Sequence, residues 1–108
     1  MSIKLLQIDF PTTGPFKVAM SEAYQELAQS IASEDGLLWK IWTENETTQR
    51  AGGWYAFQNE AALERYRDMH TKRLSSFGIT GIESQVFDAN IPLSVIDHFP
   101  EDLLKNKA

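Results

Sequence analysis

The chain has no cysteine among its 108 residues. Disulfides, thiolate metal sites, iron–sulfur clusters and cysteine nucleophiles are therefore excluded together. Positive charge is also scarce: Lys and Arg number 10 against 15 Asp and Glu, for a formal net charge of −5. The cations are spread along the chain, with no basic stripe to neutralise phosphates, so nucleic acid is not an expected partner. No apolar run approaches the ~20 residues that cross a bilayer, so no membrane partner is expected. Met1-Ser2-Ile3-Lys4 leads straight into a strand-like pattern, without the charged and then apolar stretches of a signal peptide. A cytoplasmic protein is the expectation. The two histidines, His70 and His98, are distant in sequence. There is no G-x-G-x-x-G, P-loop, H-E-x-x-H or nucleophile elbow, and no cofactor or metal is expected.

What the chain does have is an ordinary globular composition, 43% hydrophobic and 11% aromatic. A single domain over residues 1–108 follows, with a core over 3–97 and a C-terminal tail over 98–108. Residues 3–10 read as a strand stopped by Pro11. Pro15, after a Pro/Gly turn, suits the first turn of a helix over 16–33 with the stripe Met20, Tyr24, Leu27 and Ile31. Residues 37–44 and 51–58 read as a hairpin around the polar turn 45–49. Gly52-Gly53 in its second arm suggests a bulge or a close backbone approach. Asn59 is a good N-cap for a helix over 60–77, whose stripe is Leu63, Tyr66, His70 and Leu74. Residues 82–89 alternate and read as a last strand. A helical turn at 93–97 ends the pattern.

The order β-α-β-β-α-β is the split βαβ arrangement of ferredoxin-like domains. The fold class is therefore α+β, a four-stranded antiparallel sheet with both helices on one face. The strands are apolar on both faces. Leu37, Trp39 and Ile41 point one way, while Leu38, Lys40 and Trp42 point the other. Helices cover one face only, and the simplest cover for the second is another copy of the sheet, giving a homodimer closed into an α/β barrel.

His70 on the apolar stripe of the second helix is the candidate catalytic residue. Tyr24, Trp39, Trp42, Tyr55, Tyr66 and Phe87 are the candidate pocket walls. An imidazole among aromatic rings suits a flat phenolic ligand and the removal of its proton. The same pattern also fits a hydrogen-bonded core histidine. Lys40, if inward, needs a partner, and Glu44 and Asp88 are the candidates. Asn90 suits a local backbone cap.

The segments Gly36-Leu37-Leu38-Trp39-Lys40-Ile41-Trp42-Thr43-Glu44 and Ala51-Gly52-Gly53-Trp54-Tyr55-Ala56-Phe57 resemble the YdhR family, named for a proposed mono-oxygenase activity. Gly14-Pro15-Phe16, His70-Thr71, Arg73-Leu74, Val86-Phe87-Asp88, Asn90 and Pro92-Leu93-Ser94 extend the resemblance over about residues 3–97. The resemblance implies a dimeric α+β barrel related to antibiotic-biosynthesis mono-oxygenases. Those enzymes oxidise polycyclic phenols with molecular oxygen and use no flavin, haem or metal. It implies a small aromatic phenol or quinol as substrate, with His70 as base or phenol-binding partner. A barrel that only holds or senses a small hydrophobic molecule is the alternative. Haem degradation is a further one. Haem-cleaving proteins of this fold use an Asn on the first strand, where this chain has Gln7.

Overall fold

A computed structural model of the chain describes residues 3–105. Met1 and Ser2 of the expected strand entry, and residues 106–108 of the tail, lie outside the described residues. The first strand β1 (Lys4–Pro11) is followed by helices α1 (Lys17–Ala23) and α2 (Gln25–Ala32). Strands β2 (Leu37–Asn45) and β3 (Arg50–Phe57) form the hairpin, and α3 (Glu60–Ser76) leads to β4 (Glu83–Asp88). A short helix α4 (Ile91–Ile96) and a 3-10 turn (Glu101–Leu104) follow. The sheet order is β2-β3-β1-β4 with every pairing antiparallel. This is the expected ferredoxin-like α+β fold.

Leu6 and Ile8 of β1 and Tyr55 and Phe57 of β3 meet Ile31 of α2 and Leu63, Tyr66 and Leu74 of α3 in one buried cluster. The stripe read from the sequence is thus the buried face of α3. Asn59 caps that helix, its Oδ1 accepting from the Ala62 N–H at 2.8 Å. Asn90 caps α4 in the same way, accepting from the Leu93 N–H at 3.2 Å.

Four expectations need correction. The helix expected over 16–33 is two helices with a break at Tyr24, whose backbone (φ −109°, ψ 21°) leaves the helical region. Both halves turn their apolar residues to the same sheet, so the stripe survives the break and hides it. Pro15 precedes the first turn, because Phe16 is the N-cap of α1. In β2 a bulge between Leu37 and Trp39 breaks the alternation. Leu37 therefore shares the helix side with Lys40 and Trp42, while Leu38 and Trp39 both pack on the other face with Ile3 and Ala56. The alternation in β4 does not mark a buried face, since all six of its residues are exposed on this outer strand.

The glycine pair makes no bulge in β3, where the register to β1 is unbroken. It is a site of close approach. A Cβ on Gly52 would lie 1.9 Å from the carbonyl oxygen of Ile8, and one on Gly53 would lie 2.8 Å from Cε of Lys40.

The second face of the sheet is covered at one end by the chain itself. Ile91 and Leu104 pack over Ile3, Leu38 and Ala56, and Phe99 sits 6.3 Å from Trp39 between ring centres. The rest is open: Ile41 is 58% exposed and Phe87 40%. Among the described residues no helix is long and apolar enough to cross a membrane.

Candidate active site

Strand alternation restarts after the bulge and sends Lys40 and Trp42 to the helix side, where Tyr55 of the neighbouring β3 also points. These three, with Tyr24 and His70, line a small cavity of about 30 Å³ between sheet and helices. That is room for a water or two. Two larger clefts adjoin it. One, of about 270 Å³, lies along Met20, Tyr24, Trp42 and Glu44. The other, of about 580 Å³, is lined by Thr12, Tyr24, Phe77 and Ile79 among others. Tyr24 is common to all three spaces, and its ring stacks on Trp42 at 5.9 Å and 22°. It therefore stands as the partition between the buried cavity and both clefts, at the break between two helices.

His70 is 2% exposed. Its ring stacks on Tyr66 at 4.9 Å and meets the edge of Tyr55 at 6.3 Å. Arg73, one helical turn on, donates to His70 Nδ1 from Nε at 3.2 Å and from Nη2 at 2.9 Å. A guanidinium has only donors, so Nδ1 is the acceptor and the ring proton is on Nε2. Arg73 is itself steadied by Nη1 donating to Ser30 Oγ of α2 at 3.2 Å. Burial holds the His70 pKa down at about 3, with the Arg73 and Lys40 charges adding to the effect. His70 is therefore neutral throughout the physiological range.

Lys40 has neither of its expected partners. The Glu44 carboxylate accepts from the Lys17 backbone N–H at 2.7 Å, and Asp88 pairs with Lys4. The amine instead lies over two rings, 3.5 Å from the centre of Trp42 and 4.6 Å from that of Tyr55. Burial, helped by the Arg73 charge, lowers its pKa from 10.5 to about 7. Such contacts with ring faces attract the ammonium, but less than water would, so desolvation wins. Burial also pushes the Tyr55 hydroxyl up to about 12 and that of Tyr66 further.

The structure thus gathers His70, Tyr24, Trp42 and Tyr55 around one cavity. Tyr66 lies against His70 and Tyr55, with their ring centres 4.9 and 5.0 Å away. Trp39 and Phe87 are on the opposite face, the first beside Phe99 and the second 5.8 Å from Trp54. Two polar residues beside His70 were not among the candidates from sequence. Arg73 was legible, since it lies three positions after an inward histidine. Lys40 was legible as an inward lysine, but its lack of a carboxylate depends on Glu44 being engaged by Lys17 and on Asp88 lying at the opposite edge of the sheet.

The site offers a hydrogen-bond donor, an amine able to shed its charge near neutral pH, and stacked aromatic walls. Among the described residues no group of three or more His, Asp or Glu is placed to hold a metal. No curated protein sequence matches the chain. A family model does: the one described as "Putative mono-oxygenase ydhR" matches residues 5–100, nearly the full length, and the chain belongs to that family.

Proposed function

We propose that the protein is a cofactor-independent mono-oxygenase acting on a small aromatic or polycyclic phenol or quinol. The observation that carries this reading is the buried His70, held by Arg73 with its Nε2–H free and set among Tyr24, Trp42 and Tyr55. For a phenol with a free para carbon the reaction balances without a further reductant. One oxygen atom of O₂ becomes the second quinone oxygen, the other leaves as water, and the substrate supplies all the electrons. The protein must bind the ring, favour the phenolate and exclude water. With Nδ1 occupied and the ring neutral, His70 serves as the phenol-binding donor rather than the base. Its Nε2–H stabilises negative charge on the phenol oxygen. The cavity admits a ring once Tyr24 turns off Trp42 and joins it to the adjoining clefts.

Haem degradation gains no support. Gln7 lies between the buried Leu6 and Ile8 and therefore faces away from His70.

Oxygen uptake by metal-stripped protein with a panel of reduced polycyclic phenols tests the reading, with ¹⁸O₂ incorporation followed by mass spectrometry. Enzyme-dependent uptake with one labelled oxygen in the product is expected, and His70→Ala should lower the rate by roughly 100-fold. Turnover of a confirmed substrate by His70→Ala at the wild-type rate would remove the proposed role. A product set identical to autoxidation would favour the binding-only alternative.

The partner in this reading is a second copy of the chain. The open part of the sheet, with Ile41, Trp54 and Phe87, is an apolar surface left beside the C-terminal segment. A second sheet laid across it would complete the expected barrel. Light scattering should give twice the 12.3 kDa chain mass. Ile41→Lys with Phe87→Lys should return the mass to that of one chain. A single-chain mass for the wild type at micromolar concentration would rule the dimer out.

A further inference from the structure

The cavity holds one group able to accept a proton, and that group is not the histidine. His70 Nδ1 is filled by Arg73, and Nε2 already carries its hydrogen. The Tyr55 and Tyr66 hydroxyls are held protonated by burial. Lys40 has a seat made for it. Gly53 leaves the space its Cε occupies, and the rings of Trp42 and Tyr55 lie under its amine. Among the described residues no carboxylate binds it: Glu44 accepts from the Lys17 N–H, and Asp88 lies on the opposite edge strand, paired with Lys4. The charged and titratable groups facing it are His70 and Arg73 from α3, Tyr55 from β3, Tyr24 from the helix break, and Glu44 further along its own strand. None of these supplies a negative charge in contact with the amine, and the Arg73 charge opposes its ammonium.

We infer that Lys40 Nζ takes the phenolic proton, and that the phenolate oxygen is then held between the Lys40 ammonium and the Nε2–H of His70. This rests on the phenol-binding reading above and names its catalytic base. The step balances by itself: the phenol O–H bond breaks, an N–H bond forms on Lys40, and the electron pair stays on oxygen. The amine sheds its proton readily enough at neutral pH to arrive as a base. Once protonated it has the phenolate as the counter-ion the empty site lacks, and the ring faces of Trp42 and Tyr55 beneath it.

The proton transfer needs no oxygen, so it can be read without turnover. The probe is 3-nitrophenol, a weaker acid than its 4-isomer, titrated anaerobically into the protein about one pH unit below the probe's own solution pKa, where most of the Lys40 amine is uncharged. There about a tenth of the free probe is the yellow phenolate. Bound to the wild type, most of it should be yellow. Bound to Lys40→Met or Lys40→Gln, the yellow fraction should fall back to about a tenth. Lys40→Cys offers a rescue, because the chain has no other cysteine. Alkylation of that thiol with 2-bromoethylamine restores an amine at one position and should restore the colour. Gly53→Ala keeps the amine but displaces its stem, and should give an intermediate fraction. Colourless binding, no binding to the wild type, or equal colour in wild type and Lys40→Met would each overturn the assignment. The oxygen assay stands apart. A yellow complex without oxygen uptake keeps Lys40 as base and sinks the mono-oxygenase. Uptake that survives Lys40→Met keeps the mono-oxygenase and sinks Lys40.

Discussion

Lys40→Met is expected to be more stable than the wild type at pH 7, by roughly 3–4 kcal/mol, although it removes the amine from the candidate site. The reason is the missing counter-ion. In the unfolded chain Lys40 holds its proton up to pH 10.5; in the folded chain it holds it only up to about 7. Between those values the unfolded state binds more protons, so stability rises with pH. Below about 7 the full penalty of burying the ammonium is present, and above 10.5 it is gone. Methionine fills a similar volume among Trp42 and Tyr55 without charge. The two proteins should therefore differ most at pH 7 and below, and converge as pH approaches 10.5. Ionisation of tyrosines at high pH affects both alike, so the difference between them is the quantity to follow. Urea unfolding at pH 6, 7, 9 and 10 provides it. A variant no more stable than the wild type at pH 7, or a difference that does not change with pH, would mean that the amine is solvated. A residue that weakens the fold at working pH and sits in a cavity is a familiar sign of a site kept for chemistry.

Gly52→Ala should cost about 4 kcal/mol or more, a large share of the ~5–15 kcal/mol that holds a domain folded. Its Cβ would lie 1.9 Å from the Ile8 oxygen and 2.8 Å from the Ile8 carbonyl carbon. These are backbone atoms of β1, which is hydrogen-bonded on both sides, to β3 and to β4, so they have nowhere to move. Gly53→Ala next door meets the Cε of a flexible side chain at 2.8 Å, which can shift, and the Ile41 oxygen of the edge strand β2 at 3.1 Å, which must give by a few tenths of an ångström. It should cost about 1 kcal/mol. The adjacent pair thus divides into a residue required by the sheet and a residue required by the site. Circular dichroism with urea midpoints decides it. A Gly52→Ala protein with the wild-type midpoint would show that the strands can separate without loss.

The sheet, its strand order and the buried stripe of α3 were legible because each follows from local periodicity and local stop signals. Asn59 and Asn90 were legible as caps for the same reason. What escaped were features fixed by residues distant in sequence. The break at Tyr24 has no glycine or proline, and Met20, Tyr24, Leu27 and Ile31 keep helical spacing across it. Its backbone still joins the two helices, with Tyr24 N–H on the Met20 oxygen at 3.1 Å and Ala28 N–H on the Tyr24 oxygen at 2.9 Å. In the candidate site, alternation separated Trp39 from Trp42 and placed Lys40 with the latter. It did not show that Glu44 would be drawn to Lys17 and Asp88 to Lys4. The Glu44 contact, and the place of Asp88 on the opposite edge of the sheet, turn an ordinary strand lysine into an isolated amine. Phe87 was expected as a pocket wall and stands instead beside Trp54 on the open face, because it is registered with Leu5, which faces away from the helices.

The bulge at Leu38 sets the phase between Leu37 and the rest of β2. Leu37 faces the helices, and unbroken alternation from there would carry Trp39 and Ile41 to the helix side and turn Lys40 and Trp42 outward. One additional residue shifts the count by half a period. The bulge thus lets Leu37, Lys40 and Trp42 share the inner face and gives the outer face Leu38 and Trp39 in succession. Loss of one residue at the bulge would leave Lys40 and Trp42 in register with β3. Loss of one residue between Trp42 and the hairpin turn would instead trade the amine and its indole for Trp39 and Ile41, and the cavity would have no base.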